Sequence, residues 1–214
     1  MNTLLDLVIP ARCGGCGAPG TAWCDVCAAV VGRGPVRVRP RTDPGVPCWA
    51  LAPYAGPAGR AVLAAKEHGR RDLADPLGLA LATALAALRA PERPLVLVPA
   101  PTRATAARRR GGDPVTRCAA AATRWLIDSR TLPLLRTSRG VRDSVGLTTR
   151  ERAHNLRGRI MMVHHEAAAA AIAANAEVIL VDDVLTTGAT VTESVRVLSR
   201  FGVRPRAVLV TCTA

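Results

Sequence analysis

Beyond residue 48 the hydrophobic positions follow two rhythms. Short apolar runs closed by Pro, Asp or Gly predict strands buried on both faces over Trp49–Tyr54, Leu95–Val98, Leu132–Leu135, Glu177–Val181 and Ala207–Thr211. Stretches with apolar residues three and four apart predict helices over Ala58–Glu67, Leu73–Ala90, Asp113–Ile127 and Thr190–Phe201. Asp113 before Pro114 reads as an N-cap followed by proline at the first helical position. Strands alternating with helices predict an α/β fold: a mostly parallel sheet with helices on both faces. His164–Ala176, with its alanine run, reads as a surface helix or insertion without chemistry. His164 and His165 are adjacent, so on a helix they diverge by about 100° and make a poor ligand pair. Arg139–Gly158 is polar, arginine-dense and without a period.

The first 47 residues follow neither rhythm. Cys13-Gly-Gly-Cys16 is followed by Cys24-Asp-Val-Cys27. Each pair can turn both thiolates toward one point, and glycines free the backbone to do so. Four thiolates suit a closed structural Zn²⁺ site, a zinc-ribbon-like module with no open position for catalysis; iron accepts the same set. A redox CxxC needs one pair only, usually ahead of a helix in a thioredoxin-like unit. Gly32–Pro47 reads as a linker or extended hairpin. The expected division is a zinc module with linker over 1–47 and an α/β domain over 48–214. Of seven cysteines, the other three (Cys48, Cys118, Cys212) are scattered, which fits a reduced cytoplasmic setting better than a disulfide framework. Cys118 and Cys212 read as small buried apolar residues.

Composition adds a question about partners. The chain has 214 residues, 49% hydrophobic, and a formal charge of +13 from 29 basic and 16 acidic residues. That apolar fraction excludes a disordered chain despite the charge. Lys66 is the sole lysine; every other basic residue is arginine. The excess suits anionic partners, and it is also what GC-rich codons encode. Arginine-dense patches lie at Arg33–Arg41, Arg103–Arg110 and Arg136–Arg157. No run approaches the roughly 18 apolar residues of a membrane span. Met1–Pro10 lacks a basic n-region and a cleavage site, so no secretory signal is expected.

The most informative segment is Val178-Ile-Leu-Val-Asp-Asp-Val-Leu-Thr-Thr-Gly-Ala-Thr190. A buried strand is expected to end on two carboxylates, with a Thr/Gly loop leading into a helix. In open α/β sheets ligands bind beyond the carboxyl ends of the strands. A loop at a helix N-terminus offers amides and a favourable dipole to phosphate. Thr186, Thr187 and Thr190 add hydroxyls, and Gly188 permits close approach. Asp182 and Asp183 suit the vicinal hydroxyls of a sugar, directly or through Mg²⁺. These features describe a sugar-phosphate site. Neither a P-loop nor a GxGxxG turn is present.

This segment resembles the signature by which type I phosphoribosyltransferases bind phosphoribosyl pyrophosphate (PRPP). The resemblance implies that Asp182 and Asp183 hold the ribose hydroxyls and act as the catalytic acids, with Asp183 a candidate base. It implies that Leu185, Thr186, Thr187, Gly188, Ala189 and Thr190 hold the 5-phosphate. With the four-cysteine module ahead of it, the chain resembles the ComF family, also described as GntX-like or amidophosphoribosyltransferase-like. Tyr54 with Leu63–Gly69, around Lys66, is similar to that family's Y…LK..G segment. Val98-Pro-Ala-Pro101 is similar to its VPVP strand end, which places the pyrophosphate loop at Ala100, Pro101, Thr102 and Arg103. Arg110-Gly111 and Gly146-Leu147…Arg152…Asn155-Leu156 match further segments. The chain departs from the family where Gly112-Asp113-Pro114 follows Arg110-Gly111 and where Ser144 replaces a glutamine.

Two functions follow from the resemblance. One is transfer of a phosphoribosyl group from PRPP–Mg²⁺ to an acceptor the sequence does not name, with structural Zn²⁺ in the cysteine module and Arg139–Arg152 as a lid. The other is a nucleotide- or PRPP-binding scaffold for DNA uptake in competence or for DNA processing. Its partners would be single-stranded DNA, tracked by arginines, and competence or DNA-processing proteins. With one Tyr, one Phe and three Trp, stacking platforms for single strands are scarce, so such binding is expected to be salt-sensitive.

Overall fold

A computed structural model describes residues 11–102, 112–138 and 158–214. Arg103, the remainder of the Arg103–Arg110 patch, Gly111 and Arg139–Arg157, with the expected lid and the Gly146–Leu156 segment, lie outside the described residues, as does Met1–Pro10.

Eight strands are described: β1 Val36–Val38, β2 Cys48–Pro53, β3 Leu95–Pro99, β4 Ser129–Thr131, β5 Leu135–Thr137, β6 Ile160–Met162, β7 Glu177–Leu185 and β8 Pro205–Thr213. The helices are α1 Asp25–Val31, α2 Gly56–Glu67, α3 Ala74–Leu88, α4 Pro114–Thr123, α5 His165–Ala173 and α6 Ala189–Arg200. Six strands form one sheet in the order β1-β2-β8-β7-β3-β4, and β5-β6 form a separate antiparallel ribbon. Only the edge strand β1 runs antiparallel in the main sheet; the other pairings are parallel. The α/β architecture read from the sequence is therefore present.

The unbroken apolar runs have a direct cause. Alternate residues of each strand enter different cores. Leu95, Leu97, Ile179, Val181 and Leu209 face α2, α3 and α4. Val96, Val98, Val178, Leu180, Val208 and Val210 face α5, α6 and the ribbon. A strand covered on both sides has no polar face to alternate with. The helices bury one stripe each, with spacings of three and four: Ala58, Ala61, Val62 and Ala65 on α2, and Val115, Cys118, Ala119 and Ala122 on α4. Gly78 lets α3 and α4 touch closely, since a Cβ there would lie 2.5 Å from Ala121 Cβ.

Several boundaries differ from expectation. The strand expected over Leu132–Leu135 is two strands, β4 and β5, with Leu132–Leu134 between them. Leu132 still donates to the Leu97 carbonyl at 2.9 Å, but Pro133 has no N–H to extend the ladder. The helix expected over Asp113–Ile127 stops at Thr123, while its cap is as read: Asp113 accepts from the Val115 and Thr116 amides at 3.3 and 3.2 Å. The helix expected from Leu73 begins at Ala74 after a 3₁₀ turn over Arg71–Leu73. Gly32–Pro47 contains β1, whose Val36–Val38 pairs with Cys48–Ala50 as a hairpin. The helix within His164–Ala176 covers the second core through Ala168 and Ala171. Cys118 and Cys212 are buried, and burial drives each thiol pKa up to about 12.

At the amino end of β7 stands Glu177, fully buried. It accepts from the Ala90 amide at 2.7 Å and pairs with Arg206. This contact joins α3, β7 and β8 at the end of the sheet away from the acid pair.

Candidate functional site

The chain leaves β3 toward β4 on one side and returns at β7 on the other, then steps outward to β8. The crevice between the carboxyl ends of β3 and β7 is thus a topological switch point, where open α/β sheets bind ligands. The Asp182–Asp183 pair lies on that side.

One expectation needs correction here. The acids do not follow the strand; β7 runs from Glu177 through Leu185 and contains both of them. Asp182 pairs in register with Val210 and Val184 with Cys212. Partnership with β8 holds the segment extended although aspartate disfavours strands. The acid pair therefore sits on strand backbone, and the loop part of the motif begins only at Thr186.

The two carboxyls have different surroundings. Asp183 Oδ2 lies 2.8 Å from Lys66 Nζ, with side-chain exposures of 16% and 35%. Lys66 is in the last turn of α2. Asp182 Oδ1 accepts the Asp183 amide at 2.8 Å. Burial first, then the Asp183 charge, pushes the Asp182 carboxyl up to about 8; the Asp183 amide and Lys66 oppose this, and Asp113 adds to it. The pair thus holds one carboxyl that keeps its proton more tightly than usual and one acid paired with a lysine. Beneath them is a void of about 20 Å³ lined by Val62, Leu77, Val115, Cys118 and Thr211. The floor under the acids is mostly apolar.

After β7, Thr186 is exposed and Thr187, Gly188 and Ala189 are buried, with Thr190 half-buried. Leu185 is buried in the second core. Gly188 caps α6 with φ +86°. The Thr187 hydroxyl accepts the Ala189 amide at 3.3 Å. The first turn of any helix carries amides without intrahelical partners, so this corner of the loop suits phosphate. The hairpin loop between β1 and β2 reaches the same turn. Thr42 N–H donates to the Thr187 carbonyl at 2.9 Å, and Thr192 Oγ1 donates to the Thr42 carbonyl at 3.2 Å. A Cβ on Gly188 would lie 2.5 Å from the Thr42 oxygen and 2.7 Å from Pro40. Glycine is needed there for packing as well as for φ.

At the end of β3, the Ala100 amide donates to the Val181 carbonyl at 2.7 Å, and Pro101 has no N–H. Neither of these two residues has a free amide to offer, and Arg103 lies outside the described residues. Thr102 instead binds neighbours: its hydroxyl donates to Asp113 Oδ1 at 3.2 Å and its carbonyl accepts from Thr137 Oγ1 at 3.0 Å. Asp113, read from the sequence only as a helix cap, is thereby also tied to the end of β3, and it adds to the charge that raises the Asp182 carboxyl. No pattern in the sequence pairs Lys66 with Asp183 or brings Asp113 to Thr102; both contacts exist only through the sheet.

The four-cysteine cluster is assembled as the spacing suggests. The sulfurs of Cys13, Cys16, Cys24 and Cys27 lie within 4.8 Å of one another, with Cys13–Cys24 and Cys16–Cys24 at 3.7 and 3.6 Å. Tetrahedral Zn–S bonds of about 2.3 Å imply S···S edges of about 3.8 Å, so the cage fits such an ion. Burial pushes the Cys13 thiol up, but the amides of Cys16, Cys24 and Gly15, with the Cys24 side chain, bring it down to about 6. Burial and its three neighbours raise Cys27. The knuckle is docked on the α/β core: Arg60 Nε donates to the Gly15 carbonyl, Arg70 Nη2 to the Arg12 carbonyl at 2.8 Å, and Gly14 presses on Leu73.

The class defined by fold and site is an α/β protein with an acid pair and a Thr/Gly turn at a switch point, carrying a four-cysteine knuckle. No family model matches the chain, and no curated protein matches it. Two solved structures, described as an analysis of an invariant aspartic acid in HPRTs (a glutamine mutant and a glutamic acid mutant), are similar to it in part. Each is 17% identical and aligns over 68% of this chain and 66% of its own length, with TM-scores of 0.35 and 0.34. Similarity of that size carries nothing about substrate or mechanism. Among the described residues, no helix is long and apolar enough to cross a membrane.

Proposed function

We propose that this chain is a ComF-like protein with a type I phosphoribosyltransferase-like domain, and that it binds PRPP at the acid pair and the following loop. The observation that carries this reading is one continuous unit. Asp182 and Asp183 on β7 lead through Thr186–Gly188 into the N-terminus of α6, beside a topological switch point. The acids would face the ribose 2- and 3-hydroxyls and the loop would face the 5-phosphate. Fixed charge close to the anomeric carbon would favour the positive charge that develops there as pyrophosphate leaves. Asp182 and Asp183 are the proposed catalytic acids, with Asp183 the candidate base.

Mg²⁺ is proposed to arrive with the pyrophosphate and not as a resident ion. Two carboxyls, one of them bound to Lys66, are a thin donor set for a cation that demands octahedral oxygen coordination. Structural Zn²⁺ is proposed for Cys13, Cys16, Cys24 and Cys27, where it would supply folding energy to a segment with little core of its own. A cytoplasmic setting is proposed as well, and it agrees with seven cysteines of which none is paired in a disulfide. The division at 47/48 remains a proposal, and it has to accommodate the pairing of β1 with β2.

The test is thermal. PRPP with Mg²⁺ should raise the melting temperature of the wild type, and Asp182→Asn with Asp183→Asn should abolish the rise. Pyrophosphate release in the presence of an acceptor base, amine or nucleotide would identify a transferase; binding without release would leave a PRPP-binding module.

One observation favours a second reading. Arg33, Arg37, Arg39 and Arg41 are all exposed along the β1 hairpin, and Arg37 and Arg39 border a groove of about 440 Å³. A single-stranded DNA in competence or DNA processing would be held there by charge. Its retention should fall steeply with salt and be indifferent to the two Asp→Asn substitutions.

A further inference from the structure

The acid pair already carries a cation. Lys66 Nζ is 2.8 Å from Asp183 Oδ2, and both side chains are largely withdrawn from water. The two carboxyls and the ammonium together bear no more than a single negative charge. Lys66 is the sole lysine of a chain whose other basic residues are all arginine. An ammonium is a compact point charge, whereas a guanidinium is a broad planar fork. At this contact the smaller group does what a metal ion would do: it neutralises one carboxylate through a single oxygen, Asp183 Oδ2, while Asp182 is engaged through Oδ1 by the Asp183 amide.

The mounting of Lys66 is rigid. Its helix buries Ala58, Ala61, Val62 and Ala65 against the sheet, and Arg60 of the same helix donates to the Gly15 carbonyl of the knuckle. On the opposite side of the crevice, the Ala100 amide is committed to Val181 and Pro101 has none. Neither of those two residues adds an amide to the contacts that the acid pair and the turn into α6 offer a ribose phosphate.

We propose that Lys66 is a positioning residue that serves as the resident counter-cation of the acid pair, allowing ribose 5-phosphate to bind at Asp182, Asp183 and the Thr186–Thr190 loop without a divalent cation. The inference rests on the phosphoribosyl reading of this site and extends it to a ligand that lacks pyrophosphate. The hydroxyls of the sugar meet Asp182 and Asp183, the phosphate meets the turn into α6, and Lys66 acts through Asp183 without touching the ligand.

The test is a calorimetric titration of the full chain, its knuckle metal retained, with ribose 5-phosphate in buffer freed of Mg²⁺ and again with Mg²⁺ added. The wild type should bind in both, with affinities within about threefold of each other. Lys66→Met should lose about tenfold or more without Mg²⁺, the equivalent of one modest charge interaction. Mg²⁺ should restore most of that loss. A merely structural lesion would not be repaired by Mg²⁺. Wild-type binding that requires Mg²⁺ overturns the proposal without any variant, as does equal Mg²⁺-free binding by Lys66→Met or a loss that Mg²⁺ leaves unchanged. In each of those cases the phosphoribosyl site itself stands, provided the wild type binds with Mg²⁺. If neither ribose 5-phosphate nor PRPP binds with Mg²⁺, the site reading fails and this inference fails with it.

Discussion

The backbone N–H of Thr42 donates to the carbonyl of Thr187 at 2.9 Å, tying the β1–β2 hairpin loop to the turn proposed to hold phosphate. Gly188 sits under that contact, with φ +86° and no room for a Cβ beside the Thr42 oxygen. Gly188→Ala therefore meets two penalties. The left-handed backbone alone costs an L-residue about 1–2 kcal/mol, and the clash displaces the hairpin loop. We expect a lowered melting temperature and a loss of PRPP affinity of about tenfold or more. Calorimetric titration of the folded variant checks this; unchanged affinity would mean that the turn is not shaped by the loop above it.

The acid pair gives a pH prediction. Asp182 is acted on by Asp183 on its own strand, Lys66 from α2 and Asp113 at the cap of α4, and its carboxyl is raised to about 8; the buried thiols of Cys118 and Cys212 lie near Asp183. A carboxyl raised in the folded state binds a proton more tightly there than in the unfolded chain. Its contribution to stability is complete below the unfolded pKa of about 4 and fades as pH rises through about 8. Asp182→Asn mimics the protonated form at every pH. The variant should gain on the wild type progressively between those limits and lead by several degrees at pH 9, at about 2–4 °C per kcal/mol for a chain of this size. Parallel melting curves from pH 5 to 9 would contradict the raised carboxyl.

At the far end of the sheet, Arg206 faces Glu177, whose side chain has 0% exposure while that of Arg206 has 55%. Arg206→Ala leaves the carboxylate with the Ala90 amide as its remaining described partner. Because Arg206 is more than half exposed, the loss is expected near the low end for broken pairs, about 1–3 kcal/mol. Urea denaturation measures it. PRPP affinity should not change, which separates the structural end of β7 from its functional end.

For the knuckle, Gly15→Ala places a Cβ 2.7 Å from Cys27 Sγ and 3.0 Å from the Trp23 ring, crowding one corner of the thiolate cage. We expect weakened metal retention and faster proteolysis within residues 11–31, with the α/β core still cooperative. Metal analysis after dialysis, together with limited proteolysis, checks it. Full metal retention would show that the cage tolerates the extra carbon.

Much of the fold was legible because strands covered on two faces leave unbroken apolar runs. Leu95–Val98 and Val178–Val181 could be nothing else in a chain of alternating elements. What escaped was decided by partners. Gly32–Pro47 could be read as a linker or as an extended hairpin, and the pairing of Val36–Val38 with Cys48–Ala50 decides for the hairpin. Asp182 and Asp183 stay in β7 because β8 holds them there. The acids, the Thr/Gly turn and the cysteine cluster could be read directly, since each is a local pattern. Lys66 and Asp113 could not, because their partners lie at the ends of other elements. Gly188 was read as permitting a ligand's approach; that Thr42 and Pro40 stand where its Cβ would be is a further demand for glycine that no local pattern shows.

The central claim is that Asp182, Asp183 and the turn into α6 form a phosphoribosyl site. A calorimetric titration of PRPP–Mg²⁺ into the wild type and into the Asp182→Asn/Asp183→Asn double variant tests it most directly. The account predicts saturable binding of one ligand per chain by the wild type and none by the folded double variant. Equal binding by both, or no binding by the wild type, would contradict it.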